Sequence, residues 1–306
     1  MRRLVFVAIA SGSCLVVAIG AKAPSVARQP QFRSTAEGVR IDVDVMDGSR
    51  PVTGLKAEDF EVTDEQVVQS VESARTVGQL AISFAVDVSL SVRPTGLLLI
   101  QRALEHAVGA LQAQDRAAIV TFSDRIRPMV GLTTDPVPLR SAAALLTQQT
   151  AGEIPRTITW DAVFGAASLV AASDGRPVVI LIGDGRDNAS GLNQTELQRT
   201  LDRAGIIVDF VRAPMDKTTD DLFPPGRNAP EDLVTATRGV EFDAGDTSIG
   251  KKIQERLAAL REGYVLTYVP TGVSAVKGWH RVTVRVPGRR VIVRARPGYY
   301  ATPVQK

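Results

Sequence analysis

Three side chains with oxygen atoms follow an apolar stretch at regular spacing, and together they suit a hard cation. The run from Ala81 to Val86 is apolar apart from one serine, and it ends at Asp87. Ser89 and Ser91 follow at alternate positions, so one short loop can turn all three oxygens toward one point. A carboxylate and two hydroxyls are the kind of hard oxygen donors that Mg²⁺ binds. The stretch therefore predicts part of a magnesium site.

The same apolar run predicts where these oxygens lie. An apolar run of this length between polar residues is typical of a buried strand in a parallel sheet. In open α/β sheets, ligands bind beyond the carboxyl ends of the strands. We therefore expect Asp87, Ser89 and Ser91 at the edge of the sheet where binding sites form.

Alternating strand and helix patterns extend from residue 79 to residue 263. This alternation predicts an α/β fold with a doubly wound, mostly parallel sheet. The segment 126–132 is predicted to be a short strand, which could lie antiparallel at the edge of that sheet. Further strands are predicted at 117–122, 177–183 and 206–211, and helices at 95–112, 160–172, 193–204 and 249–262.

Short alternating segments flank this α/β region on both sides. In the segment 39–45, every second residue is apolar, which predicts a strand with one face buried and one exposed. The strands before and after the α/β region are too few to form separate cores. Because the ends of a domain often lie close together, we predict one small β-sandwich from residues 36–78 and 264–301. The α/β domain, residues 79–263, would be inserted in it.

Three motifs in this order resemble those of a known family. Residues 87–91, DVSLS, resemble the D-x-S-x-S motif of the metal-ion-dependent adhesion site in von Willebrand factor A domains. Residues 155–162, PRTITWDA, are similar to the family's G-G-T-x-L-Y-D-A, and residues 183–187, GDGRD, to its T-D-G-x-D. The resemblance implies a site for Mg²⁺ or Mn²⁺, in which Asp184 usually holds the cation through water. The metal-binding residues that it implies are Asp87, Ser89, Ser91, Thr157 and Asp184.

The sequence also departs from the family pattern close to these residues. Pro155 and Arg156 replace two glycines, and Gly183 stands where Thr or Ser is common. Thr159 replaces an apolar residue, so it is an alternative to Thr157 as the metal ligand. The Arg156 side chain could change the charge at the site.

Composition limits the classes of function. The chain has 306 residues, with 36 basic and 33 acidic side chains, a balance that does not favour nucleic acid as a partner. The single cysteine, Cys14, excludes an intramolecular disulfide. The two histidines, His106 and His280, lie far apart in sequence, so a Cys/His metal site is excluded and neither histidine is predicted to be catalytic.

The N-terminus has the pattern of a secretory signal. Two arginines precede an apolar stretch at residues 4–19, and small residues follow up to Ala27. This order predicts a signal peptide at 1–27 and a secreted or periplasmic protein of a bacterium. The alternative is an uncleaved membrane anchor, although a membrane span needs about 20 apolar residues.

The predicted function is binding of a protein or cell-surface ligand through the cation, without catalysis. Two carboxylates and three hydroxyls leave a position in a six-oxygen shell, which an acidic side chain of the partner can fill. One alternative is a structural envelope component with a degenerate metal site. Another is a metal-dependent hydrolase or phosphatase, but the phosphoryl-transfer pattern has a second Asp where Ser89 stands.

Residues 51–72 and 263–301 also resemble a bacterial subgroup of von Willebrand factor A-related proteins common in acidobacteria.

Overall fold

The computed structural model describes residues 38–48, 50–92, 95–148, 156–214, 230–273 and 278–301. The predicted signal peptide at 1–27 and Pro155 lie outside these ranges, as does most of the polar segment 214–229. All of these described residues belong to one compact unit. The division of that unit at residues 78/79 and 263/264 stays a prediction.

Strands occupy both ends of the described chain, and strands alternate with helices between them. The first group is β1 (Val39–Asp47), β2 (Arg50–Pro51), β3 (Glu61–Asp64), β4 (Val67–Gln69) and β5 (Ser73–Thr76). The middle group is β6 (Leu80–Asp87), α1 (Thr95–Gly109), β7 (Arg116–Phe122), β8 (Ile126–Thr133), α2 (Pro136–Ala144), α3 (Thr159–Val170), β9 (Arg176–Gly183), α4 (Gln194–Ala204), β10 (Ile207–Arg212), α5 (Pro230–Ala236), β11 (Glu241–Asp243) and α6 (Ile249–Glu262). The last group is β12 (Tyr264–Tyr268), β13 (Gly278–Arg285), β14 (Ile292–Ala295) and β15 (Gly298–Ala301).

The middle group forms a mostly parallel sheet with the strand order β11-β10-β9-β6-β7-β8. Strand β6 lies inside this sheet, parallel to β7 and β9, and all of its residues are buried. Strand β8 is antiparallel to β7 at the edge. The buried position of β6 explains its apolar run, because both faces of an inner parallel strand are covered.

Helices cover both faces of this sheet. Ile82 and Phe84 of β6 pack in one core with Leu104 of α1 and Leu257 of α6. On the other face, Ala85 packs with residues of α3, α4 and α5 in a second core. The sheet is therefore doubly wound, and the predicted α/β fold is confirmed.

The terminal strands form two antiparallel sheets that share a third core. One sheet has the order β14-β1-β12-β5, with β2 beside β1, and the other has the order β15-β13-β3-β4. Val43 and Leu266 of the first sheet pack with Val62 and Val284 of the second. The early and late strands thus build one β-sandwich around the α/β insertion, as the sequence predicts.

The prediction that the polar face of β1 is exposed holds at Arg40 but is wrong at Asp42 and Asp44. Its apolar residues face the sandwich core, but Asp42 and Asp44 on the opposite face are also buried, at 6% and 1% exposure. Asp44 Oδ1 lies 2.9 Å from Arg238 Nη1 and 3.3 Å from Arg176 Nη1. Asp44 Oδ2 lies 3.0 Å from Nη1 of Arg256. Alternation of polar and apolar residues does not distinguish a solvated polar face from one that is covered by buried arginines.

These residues belong to a buried cluster, which we call the arginine–aspartate cluster. Arg256 also binds Asp209 of β10 through Nε at 3.0 Å and Nη2 at 3.1 Å. Burial opposes ionisation of Asp44, but the charges of the surrounding arginines outweigh it and lower its pKa. The cluster joins the first strand of the sandwich to the α/β sheet, with three basic and three acidic members: Arg176, Arg238, Arg256, Asp42, Asp44 and Asp209.

Candidate metal centre

The first predicted loop gathers its three oxygen-bearing side chains at the carboxyl end of β6. Asp87 is the last residue of β6 and is fully buried. The Ser89 N–H donates to Asp87 Oδ1 at 2.8 Å, which closes a tight turn. The hydroxyl oxygens of Ser89 and Ser91 lie 3.0 Å apart, and both residues are buried. The alternate spacing therefore brings the two serines together beside the aspartate.

Asp184 follows the neighbouring strand β9 and lies at the same edge of the sheet. Val86 of β6 pairs with Ile182 of β9, so Asp87 and Asp184 leave adjacent strands at the same edge. Asp184 Oδ1 accepts a hydrogen bond from the Arg186 N–H at 2.9 Å. Gly183, which precedes Asp184, lies directly against Asp87, since a Cβ at Gly183 would be 2.5 Å from the Asp87 Cβ.

Thr157 lies before α3 and is bound to the loop that follows Asp184. Its N–H donates to Asn188 Oδ1 at 2.8 Å, and its carbonyl oxygen accepts from the N–H groups of Asn188 at 3.1 Å and Ala189 at 3.2 Å. The Ile158 N–H donates to the carbonyl oxygen of Ser123, which follows β7, at 3.0 Å. These bonds bring the Thr157 segment to the same edge of the sheet as Asp184.

The two candidate threonines differ in what their hydroxyl groups contact. The Thr159 hydroxyl donates a hydrogen bond to the carbonyl oxygen of Arg186. The Thr157 hydroxyl is buried and has no hydrogen-bond partner among the residues that the structure describes. Asp161 accepts from the N–H groups of Gly191 and Leu192 at 2.9 Å and 3.0 Å, so it supports the loop.

Within the described part of the chain, three of the predicted metal-binding residues each carry a buried oxygen without a hydrogen-bond partner: Asp87 Oδ2, Thr157 Oγ1 and Asp184 Oδ2. Leaving a buried polar group unpaired costs about 1–3 kcal/mol, and more when it is charged. Burial and the charge of Asp184 raise the pKa of Asp87 to about 8. A divalent cation would satisfy such oxygens and offset the negative charge, and carboxylate and hydroxyl donors suit a small hard ion. The residues present therefore fit the implied metal.

The described residues hold no group of three or more His, Cys, Asp and Glu side chains that could bind a metal. The candidate centre differs from such groups because most of its donors are hydroxyls. Arg156 is exposed beside Thr157. Sequence reasoning missed Asn188, whose side chain holds the Thr157 backbone, because an asparagine in a polar loop has no pattern that marks it.

The fold and the site together define a class of protein: a doubly wound α/β domain with a candidate cation site at the carboxyl edge of its sheet. Residues 81–222 match the family model of the von Willebrand factor type A domain. The chain therefore contains a von Willebrand factor type A domain, and the family resemblance in the sequence motifs is confirmed.

Several solved structures are similar to the chain, with TM-scores below 0.5. BatB from Bacteroides thetaiotaomicron is 15% identical, with a TM-score of 0.46 over 59% of this chain and 98% of that chain. A von Willebrand factor type A protein from Catenulispora acidiphila is 12% identical, with a TM-score of 0.47 over 88% of this chain and 74% of that chain. The manganese-loaded TRAP protein of Plasmodium vivax is 13% identical, with a TM-score of 0.46 over 77% of this chain and 97% of that chain.

No curated protein matches the sequence. No helix within the described ranges is long and apolar enough to cross a membrane.

Proposed function

We propose that the chain is a binding protein whose von Willebrand factor A domain holds a divalent cation, Mg²⁺ or Mn²⁺, at the carboxyl edge of its sheet. Asp87, Ser89, Ser91, Thr157 and Asp184 are the proposed ligands. The observation that carries the proposal is the set of buried oxygens without partners on Asp87, Thr157 and Asp184. The unpaired Thr157 hydroxyl supports Thr157 over Thr159 as a ligand.

The proposed partner is a protein or cell-surface ligand that supplies an acidic oxygen to the cation. Mg²⁺ prefers six oxygen ligands and keeps several waters, so the protein's side chains leave a position that a carboxylate can take. The bound cation would supply the positive charge at the contact, and the loops around it would set specificity. Binding of such a ligand should be lost when EDTA removes the cation. The predicted signal peptide supports a location in the envelope or outside the cell.

The alternatives predict different behaviour. A degenerate site would not bind the cation, whereas the buried unpaired oxygens favour a site that does. A hydrolase or phosphatase would need a nucleophile or base beside the cation, and the motif has Ser89 where the phosphoryl-transfer pattern has Asp.

Calorimetric titration of the purified protein with Mg²⁺ and Mn²⁺ tests the proposal. We expect one binding site, lost in Asp87→Ala because the central carboxylate is removed. The matched control is Asp174→Ala, which removes an exposed carboxylate near the opposite, amino end of β9. Equal binding by Asp87→Ala and the unaltered protein would place the ion elsewhere. No binding by the unaltered protein would favour the degenerate site.

A pair of threonine variants tests which hydroxyl binds the ion. We expect Thr157→Val to weaken Mn²⁺ binding about tenfold or more, a loss of about 1.4 kcal/mol or more, because valine keeps the shape but has no oxygen. Thr159→Val should keep the Mn²⁺ affinity but lower the stability by about 1 kcal/mol, since its hydroxyl bonds the protein backbone. Titration and thermal unfolding of both variants measure these effects. The reverse result would make Thr159 the ligand.

A further inference from the structure

Four polar side chains meet inside the β-sandwich, in a group that we call the tyrosine–histidine–aspartate cluster. Asp64 Oδ2 accepts hydrogen bonds from the hydroxyls of Tyr299 at 2.7 Å and Tyr268 at 2.9 Å. His280 Nδ1 lies 3.2 Å from Asp64 Oδ1 and 3.3 Å from the Tyr299 hydroxyl. His280 thus has close polar partners, which its isolated position in the sequence does not indicate.

The cluster lies between the two sheets of the sandwich. Tyr268 comes from β12 in one sheet, and Asp64, His280 and Tyr299 come from β3, β13 and β15 in the other. His280 pairs with Tyr299 in the strand register, and their rings lie 5.1 Å apart. Asp64 and Tyr268 are fully buried, His280 is 5% exposed, and Tyr299 is half-buried. The cluster is therefore nearly dry and reaches the surface beside Tyr299.

We propose that Asp64, Tyr268, His280 and Tyr299 form a second metal site, which binds iron(III). Carboxylate, imidazole and tyrosinate are all established iron ligands. The site is separate from the candidate centre of the von Willebrand factor A domain in its position and its donors. It does not depend on the function proposed for that domain.

When both phenols are ionised, charge balance favours a trivalent ion. One carboxylate and two phenolates carry three negative charges, and a neutral imidazole adds none, so iron(III) makes the buried group neutral. A divalent ion would leave one uncompensated negative charge, and isolated buried charge is costly. The two phenol protons leave to solvent as the iron–oxygen bonds form, and no electron is transferred.

The spacing of the donors is already suitable. Four donor pairs, three that include Asp64 and one between Tyr299 and His280, are 2.7 Å to 3.3 Å apart. This range compares with an edge of about 3 Å in an octahedron with metal–ligand distances near 2.1 Å. Without iron, the hydrogen bonds to Asp64 hold both phenols protonated. Burial and Asp64 raise the pKa of Tyr299 and of Tyr268 above the usual range. Only a strongly Lewis-acidic ion would displace these protons at neutral pH.

Visible absorption spectroscopy tests this site directly. Iron(III) is added to metal-free protein as its nitrilotriacetate chelate, and the chelate alone is the blank. Coordination by tyrosinate produces a visible charge-transfer band, which Mg²⁺ or Mn²⁺ at the other site does not produce. We expect the band to saturate at one iron per chain and to be weakened and shifted in Tyr299→Phe, which removes one of the two phenolates. Asp87→Ala should keep it.

Tyr300→Phe is the matched control, because Tyr300 lies next to Tyr299 but stacks on Trp279, with ring centroids 5.0 Å apart. It should keep the band. His280→Gln is a second loss variant if circular dichroism shows that Tyr299→Phe is misfolded. No band in the unaltered protein would overturn the proposal and leave the cluster as a hydrogen-bonded part of the core. A band of unchanged position and intensity in correctly folded Tyr299→Phe and His280→Gln would also overturn it, as adventitious iron.

Discussion

Asp44→Ala is expected to lower the free energy of unfolding by about 3–5 kcal/mol, the usual cost of removing one partner from a buried ion pair. Asp44 is 1% exposed and contacts Arg176, Arg238 and Arg256. Its removal leaves three buried guanidinium groups near only two carboxylates. Water cannot solvate these charges without opening the contact between β1 and the α/β sheet.

The effect should extend to both parts of the chain, because the arginine–aspartate cluster joins them. The two tryptophans allow a separate measurement of each part: Trp160 lies in α3, and Trp279 lies in β13 of the sandwich. In the Trp160→Phe background, urea unfolding followed by fluorescence reports on the sandwich. In the Trp279→Phe background, it reports on the α/β part. We expect Asp44→Ala to shift both transitions to lower urea by the same amount.

Asp47→Ala is the control for Asp44→Ala, since Asp47 is exposed at the end of the same strand. Its expected effect is within about 0.5 kcal/mol, as for most surface substitutions. Equal effects of the two variants would contradict a stabilising role of the cluster. A shift in only one tryptophan background would show that the two parts unfold independently.

Gly183→Ala is expected to weaken Mn²⁺ binding by about 10–100-fold, the range seen when groups that orient metal ligands are replaced. A Cβ at residue 183 would lie 2.5 Å from Asp87 Cβ and 2.9 Å from Asp87 Oδ2. Real Cβ atoms do not approach other atoms this closely, so Asp87 or its strand must move. The displaced Asp87 carboxylate would then lie too far from the other proposed ligands to bind the same cation with them.

Gly183→Thr tests the same point with the residue type that the family resemblance suggests. It should weaken binding at least as much as alanine, because its side chain is larger. Gly131→Ala in β8 is the control, since a Cβ there meets no atom within 4 Å. Calorimetric titration with Mn²⁺ compares the three variants. Undiminished binding by Gly183→Ala would mean that Asp87 does not hold the ion in its present position.

Local patterns in the sequence were sufficient for the fold class and for three of the proposed ligands. The apolar run before Asp87 indicated an inner parallel strand, because only such a strand buries both faces. The spacing of Asp87, Ser89 and Ser91 placed three oxygens on one loop, and the structure brings them together. The small number of strands on either side of the α/β region likewise indicated that they form one β-sandwich with the α/β domain inserted in it.

The sequence left open the features that depend on residues far apart in the chain. The choice between Thr157 and Thr159 as the proposed ligand depends on the Arg186 carbonyl oxygen, which accepts a hydrogen bond from the Thr159 hydroxyl. Asn188 gave no signal, because its role exists only when its loop meets Thr157.

Only the tertiary structure determines which residues form the arginine–aspartate cluster and the tyrosine–histidine–aspartate cluster. Asp42 and Asp44 follow the alternation of a surface strand, but the packing of the α/β part places arginines against them. Asp64 and His280 are 216 positions apart, and neither has a local partner that predicts their contact. Periodicity reports which face of an element is apolar, whereas only the packed chain determines what covers its polar face.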